Sequence, residues 1–402
     1  MSDQLFSLAQ NSGIHLPVLK VIGLGGGGCN AIERMMAFNL RCIEFIAANT
    51  DRQILQSNPA PTKIQLGPLV TRGLGAGGDP MVGKRAAEES RNELKNALAG
   101  ADMVFLTAGM GGGTGTGAIS VAAEVAREQG AAVIAIVTTP FSFEMGKRQK
   151  NARFGLEALR QHTHTLLTIP NDRLIYVAPR NLPMEVAFRL ADDVLRQAVQ
   201  GISEIIFEPG LINVDYAHVE RMIRLGGGAL MSIGQGQGDR KVIQALEQAL
   251  HHPLLEDINL ENAAGIIANF SGGDDLTLSE IDHALRHLQT QTGDQTDIVM
   301  GVMQDEQMTN KAQVILMITG LGSSTLEEAM QDVQKTKEPI IEQIRQPAIN
   351  LRPQFGTELR QPYLSSTSPV ENTQPPDYLV SNSNTDIPAF LRKRSRTMAA
   401  MP

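Results

Sequence analysis

Two glycine-rich turns, GLGGGGCNA (23–31) and GMGGGTGTGA (109–118), constrain this chain more than any other feature. Each leaves an apolar run, and each opens onto a helical pattern. Glycine lets the main chain approach a neighbour closely and take positive φ, so that N–H groups can be presented to an anion. A helix starting at the second turn, near Ala118, adds the positive end of its dipole. Hydroxyls at Thr114 and Thr116 supply further donors. An uncharged nest of this kind suits phosphate. Read alone, either turn is equally compatible with a tight bend that binds nothing. Gly23, Gly25 and Gly28 also fit G-x-G-x-x-G, the dinucleotide pattern, with Asp51 where a ribose-binding acid is expected. An NAD-dependent oxidoreductase is therefore one reading, although it has no use for the second glycine loop. GDPMVGKR (78–85) comes close to a P-loop, but Arg85 stands where a Mg²⁺-binding hydroxyl is needed and no strand leads in.

The turns belong to a wider alternation. VLKVIGLG (17–24), CIEFIAANT (42–50), DMVFLTAG (102–109), AAVIAIVTTP (131–140) and HTLLTIPN (164–171) read as buried strands. Amphipathic helical stretches lie between several of them, at 83–100 and 119–130. This predicts an α/β fold with a mostly parallel sheet covered on both faces. In such sheets ligands sit beyond the carboxyl ends of the strands, where glycines, amides, hydroxyls and carboxylates collect here. A long helix is expected over 183–207, with Pro183 at its start and PG (209–210) at its end. A second α/β unit follows, with helices at 217–225 and 239–251 flanking GGGALMSIGQGQG. Its strands are expected at 263–273, 297–306 and 312–322.

Composition enters where partners and compartment are at stake. The net charge of −8 argues against a nucleic-acid binder, which usually shows a basic face. Cys29 and Cys42, with no CxxC spacing, fit reduced thiols. No apolar run approaches the ~20 residues of a bilayer span, and the N-terminus has no secretory pattern, so a cytoplasmic protein is expected. Histidines are scattered without ligand spacing, so no protein-built metal site is expected. From about 336 to 385 Gln, Pro, Asn, Ser and Thr dominate, the composition of a disordered linker. It leads into TDIPAFLRKRSR (385–396), apolar and then basic.

Taken together, GGGGCNA, AANTD, GLGAGGDP, GMGGGTGTG, TTPFSFEMGKR and IPND resemble the tubulin/FtsZ-like GTPases, and among them the bacterial cell-division family. The resemblance implies a flexible N-terminus (1–14) and a GTP-binding domain (15–182). A central helix (183–208), a catalytic loop (209–218) and a smaller C-terminal α/β domain (219–335) would follow. The linker (336–385) and a partner-binding peptide (386–396) complete the chain. Gly26, Gly27, Gly28, Cys29 and Asn30 match one phosphate loop of the family. Gly111, Gly112, Gly113, Thr114, Gly115 and Thr116 match the main one. Glu144 and Arg148 match residues near ribose and phosphates, and Asn171, Phe188 and Asp192 match the guanine pocket. On helical position alone, Phe188 is a core aromatic and Asp192 an exposed acid. A carboxylate accepting the N–H groups of guanine would select it over adenine.

In the family the loop after the central helix reaches the nucleotide of the next subunit, so hydrolysis occurs only in the polymer. Asn213 and Asp215 match that loop, and His218 stands where a second acid is usual. An imidazole does not replace a carboxylate that orients water, so slowed hydrolysis is one expectation. The other is that Asp215 suffices. Mg²⁺ is expected to accompany GTP and GDP. The chain is expected to form a head-to-tail homopolymer on the inner face of the membrane at the division site. Ile387, Pro388, Phe390, Leu391, Arg392 and Lys393 would engage membrane-tethering and regulatory division proteins.

Overall fold

The apolar runs pair as parallel strands, because a segment buried on both faces is completed by neighbours that are equally apolar. The computed structural model describes residues 16–321, apart from short breaks at 39, 41, 145, 174–182, 208–209, 213, 226, 253–254, 256–259, 261–262 and 293–295. The linker and the 386–396 peptide, with Ile387, Pro388, Phe390, Leu391, Arg392 and Lys393, lie outside the described residues, as does Asn213.

The first half runs β1 (Leu19–Leu24), α1 (Gly25–Ala37), β2 (Ile43–Asn49), α2 (Arg52–Ser57), β3 (Thr62–Gln65), α3 (Pro68–Thr71), α4 (Pro80–Glu89) and α5 (Arg91–Leu98). It continues through β4 (Met103–Gly109), α6 (Thr114–Glu128), β5 (Ala132–Thr139), α7 (Lys147–Arg160) and β6 (Thr165–Pro170). The long helix α8 (Met184–Phe207) follows. Then come α9 (Tyr216–Arg224), β7 (Gly227–Gln237), α10 (Lys241–Leu250), β8 (Gly265–Gly272), α11 (Leu278–Thr292), β9 (Asp297–Gln304) and β10 (Lys311–Leu321).

Among the described residues the strands form one sheet in the order β3-β2-β1-β4-β5-β6-β7-β10-β8-β9. From β3 to β7 every pairing is parallel, and β10 runs antiparallel to both β7 and β8. Strand order reverses between β1 and β4, which pair directly with Gly23 opposite Thr107. The two glycine turns therefore leave neighbouring strands at the same edge, on either side of a topological switch point. One face of the sheet packs on α8, where Val194, Leu195, Ala198, Val199, Ile202 and Ile205 are buried.

Three local departures from the sequence expectations have clear causes. The helical pattern at 83–100 divides at Ser90, whose hydroxyl accepts from Gly67 N (3.1 Å) and donates to Gln65 O (3.2 Å). The second glycine turn becomes helical at Thr114, not near Ala118. GGALMSIGQGQ, to which the sequence reading assigned no element, is the strand β7. Its glycines serve packing: a Cβ at Gly234 would lie 1.9 Å from Ala245 O, and one at Gly236 would lie 1.9 Å from Lys241 O, both on α10. No helix among the described residues is long and apolar enough to cross a membrane.

Candidate functional site

The two glycine turns touch main chain to main chain. A Cβ at Gly28 would lie 2.4 Å from Thr107 O, and one at Gly25, which has φ +71°, would lie 2.7 Å from Gly115 N. At Gly115 the added carbon would sit 3.0 Å from Leu24 O. Only glycine permits that approach. Gly26 and Gly112 differ. Neither has positive φ, and a Cβ at either would meet nothing within 4 Å. Neither packing nor backbone conformation asks for glycine there, and both positions are open to the approach of a ligand.

The helices that begin at these turns are arranged for an anion. Neither α1 nor α6 has a side-chain cap, and neither has an acid in its first turn. Uncapped N–H groups and the positive dipole ends face the same edge of the sheet. The loop is braced from within: Thr116 Oγ1 accepts from Gly111 N at 2.9 Å, and Thr114 Oγ1 shares a 2.6 Å hydrogen bond with Thr50 Oγ1. Cys29 is a buried thiol pushed up to about 12 by burial, partly offset by the Asn49 amide, so its side chain is neutral and lies behind the turn. Gly27 and Gly113 are likewise tightly placed: an added Cβ would lie 3.1 Å from Gly109 N at the first and 2.8 Å from Asp79 N at the second. Asn30 lies partly buried on α1.

The competing readings lose their residues here. Asp51 caps α2, its Oδ1 accepting from Gln53 N (2.9 Å) and Ile54 N (3.3 Å), which gives this acid a local structural role. GDPMVGKR is a helix start, with Asp79 capping Met81 N at 2.9 Å. Gly83 is small because α4 lies on the main glycine turn, where a Cβ would be 2.3 Å from Gly113 O.

The residues expected around the sugar and base lie along a path from the main turn to the last turn of α1. Arg148 lies against the main turn: a Cβ on Gly111 would be 2.9 Å from Arg148 O. Arg148 pairs with Glu144, which also accepts from Phe141 N at 3.0 Å. Phe141 stacks on Phe143 (5.1 Å) and meets Phe188 of α8 edge-on (5.4 Å, 81°). One helical turn beyond Phe188 stands Asp192, 3.2 Å from Arg34 on α1. Asp192 is not the exposed acid that its helical position implied. Burial pushes its carboxyl up to about 7, with Arg34 pulling the other way. Asn171, directly after β6, is 4% exposed, and its Oδ1 has no hydrogen-bond partner among the described residues. A buried acceptor left in this state is costly unless something binds it.

The loop after α8 lies elsewhere. Asp215 stands at the N-cap position of α9 and is exposed, yet its side chain does not cap the helix. His218 Nε2 lies 3.5 Å from Asp297 Oδ2 and 3.1 Å from Arg221 Nη2, which itself binds Asp297 at 2.9 Å. α8 carries the chain roughly 28 Å between Phe188 and Phe207. After α9, β7 begins beside Thr165, the first residue of β6, at the sheet edge opposite the glycine turns. Asp215 and His218 are thus not brought to the turns of their own chain.

Sequence reasoning missed Arg34, Thr50 and Asn151. Asn151 on α7 donates through Nδ2 to Gly78 O (3.1 Å) and Gly111 O (3.2 Å). No sequence signal marks it, since its partners are main-chain carbonyls. Among the described residues no three His, Cys, Asp or Glu side chains converge as metal ligands.

Comparison with known proteins agrees with this architecture. Residues 18–179 match the Tubulin/FtsZ family GTPase domain, and 227–322 match the FtsZ family C-terminal domain. The chain is similar to a solved FtsZ dimer from M. jannaschii, with 41% identity and a TM-score of 0.74, covering 80% of this chain and 93% of that one. A tryptophan-to-tyrosine mutant of FtsZ from the same organism is 41% identical over 79% of this chain and 94% of that one, with a TM-score of 0.73. CetZ2 from Haloferax volcanii, solved as a GTPγS-bound protofilament, shares the fold at 20% identity and a TM-score of 0.67, over 79% of this chain and 99% of that one.

Proposed function

The chain belongs to the Tubulin/FtsZ family, and from that premise we propose that it is a self-assembling GTPase of the cell-division ring. Its subunits join head to tail, and GTP is hydrolysed where they meet. The observation that carries this reading is the open side of Gly26 and Gly112 beneath two uncapped helix N-termini, a cradle for a di- or triphosphate. Phe188 offers a face for the base. Asp192 and the unpartnered Asn171 Oδ1 offer acceptors for its N–H groups, which supports guanine over adenine. Arg148 and Glu144 stand beside the phosphates and ribose. Mg²⁺ is assigned to phosphate oxygens, not to a protein cage. Asp215 supplies what a nest of amides lacks, an acceptor that can polarise water, and it does so for the neighbouring copy's nucleotide, aided by Asn213. Self-association is supported by the similar M. jannaschii FtsZ, solved as a dimer. The 386–396 peptide would tether the polymer at the inner membrane face through division proteins.

A second reading, slow turnover, rests on His218. Its ring is engaged with Asp297 and Arg221 of its own chain, and it offers no carboxylate to water. One experiment addresses both readings: sedimentation with GTP, GDP or ATP, with phosphate release measured in parallel, on this chain and on His218→Asp. Pelleting with GTP alone, with phosphate release, is expected, and no GTP-dependent pelleting overturns the proposal. A rate several-fold higher in His218→Asp supports slow turnover, and an unchanged rate returns the chemistry to Asp215.

A further inference from the structure

We propose that Asn151 is a positioning residue for the phosphate cradle, a clasp that aims the Gly112 N–H at the nucleotide; this rests on the GTP-binding reading above. Asn151 lies in the first half of α7, partly buried, outside both glycine turns. Its amide nitrogen has two protons and meets two carbonyls, Gly78 O at 3.1 Å and Gly111 O at 3.2 Å. The amide orientation is fixed by these partners, since only the nitrogen can donate to both. The bond to Gly111 O matters through peptide geometry. In a trans peptide the C=O of one residue and the N–H of the next point in opposite directions. Drawing Gly111 O toward α7 therefore turns the Gly112 N–H the other way. The preceding amide is held as well, because Gly111 N donates to Thr116 Oγ1 at 2.9 Å. Gly111, at φ +99°, is thus fixed on both sides in a conformation that an unrestrained glycine would readily leave.

The second bond joins this turn to 73–78, where Gly73, Gly75, Gly77 and Gly78 all have positive φ. Such a run has little stiffness of its own. Asn151 holds it against the main turn at a second point, besides the close approach of Gly113 to Asp79 N. Losing the clasp leaves the fold intact but frees the donor, so the cradle must be ordered anew each time a nucleotide binds.

The test measures displacement of a fluorescent guanine nucleotide by GTP, together with nucleotide-free melting, on the full chain and on Asn151→Ala, Asn151→Gln and Asn151→Asp. Asn151→Ala is expected to bind GTP about tenfold more weakly, the worth of one or two hydrogen bonds. Its nucleotide-free melting temperature should stay within about 2 °C of the parent. Asn151→Gln, which keeps the donors, should recover part of the affinity. Asn151→Asp, which sets a carboxylate against two carbonyls, should bind more weakly than Asn151→Ala. Turnover at saturating GTP should remain within about twofold, so the change appears in KM. Equal affinity in the parent and Asn151→Ala overturns the proposal, as does a loss matched by a lower melting temperature that glutamine does not recover. If the parent itself binds no guanine nucleotide, it is the GTP reading that fails.

Discussion

At the scale of single residues, Asp192 carries opposing demands. Its buried carboxyl is held near pH 7 by loss of water, against the pull of Arg34. The folded value lies above the unfolded one, so the folded chain keeps this proton where the unfolded chain has lost it. The group's contribution to stability is therefore complete below the ordinary carboxylate range and is lost as pH rises through about 7. Nucleotide-free Asp192→Asn is expected to melt higher than the parent at pH 8, with the gap closing towards pH 4. The shift from 3.8 to about 7 sets a ceiling of about 4 kcal/mol on that gain. Guanine binding asks for the opposite state, since only the carboxylate accepts two N–H groups. GTP affinity should fall from pH 8 to pH 6, by up to about tenfold per unit below 7, and the fall should vanish in Asp192→Asn. Titration with fluorescent nucleotide across that range checks it, and a parent whose affinity is flat from pH 8 to 6 removes the proposed role. Little of this could be read from residues 188–192 alone. The spacing of Phe188 and Asp192 is that of any helix face, and family resemblance alone marks them out. What makes Asp192 unusual is the approach of α1 with Arg34, a contact 158 positions apart in sequence.

At the scale of elements, glycine has two meanings here that sequence does not separate. In β7 it permits contact: α10 lies so close that side chains at 234 and 236 would collide with main-chain carbonyls. In α1 and the main turn, Gly26 and Gly112 have space beside them. The strands of the first half are legible because runs of Val, Ile and Ala admit few other fates. β7 is not, because glycine outweighs its period-two pattern. α6 starts four residues before its expected position for a similar reason: Thr and Gly have poor helix propensity, and packing overrides it. The two meanings predict opposite behaviour. Gly26→Ala should leave the nucleotide-free protein as stable or up to about 1 kcal/mol more stable, through helix propensity, while weakening GTP binding at least tenfold. Gly234→Ala should cost about 2 kcal/mol or more in urea unfolding, since a backbone must move. If Gly26→Ala binds GTP normally, the open space beside that residue is not the ligand's.

At the scale of the whole molecule, the parallel sheet separates what the proposed reaction needs together. The glycine turns leave the carboxyl ends of β1 and β4, while α8 and α9 carry Asp215 to the amino end of β6 and β7. A rigid sheet does not fold back on itself, so the proposed reaction would need a second copy placed in the same orientation, a heterologous contact that propagates. This makes a prediction no single-chain site could meet. Gly112→Asp puts a carboxylate in the cradle but leaves Asp215 intact, and Asp215→Ala does the reverse. Neither variant alone should release phosphate. In an equimolar mixture, a junction pairing the cradle of the second with the loop of the first is complete, and random pairing makes roughly a quarter of junctions so. Phosphate release should therefore return to about that fraction of the parent rate, provided the two variants sediment together. Co-sedimentation without recovered turnover would mean that Asp215 does not serve its neighbour, whatever the polymer's shape.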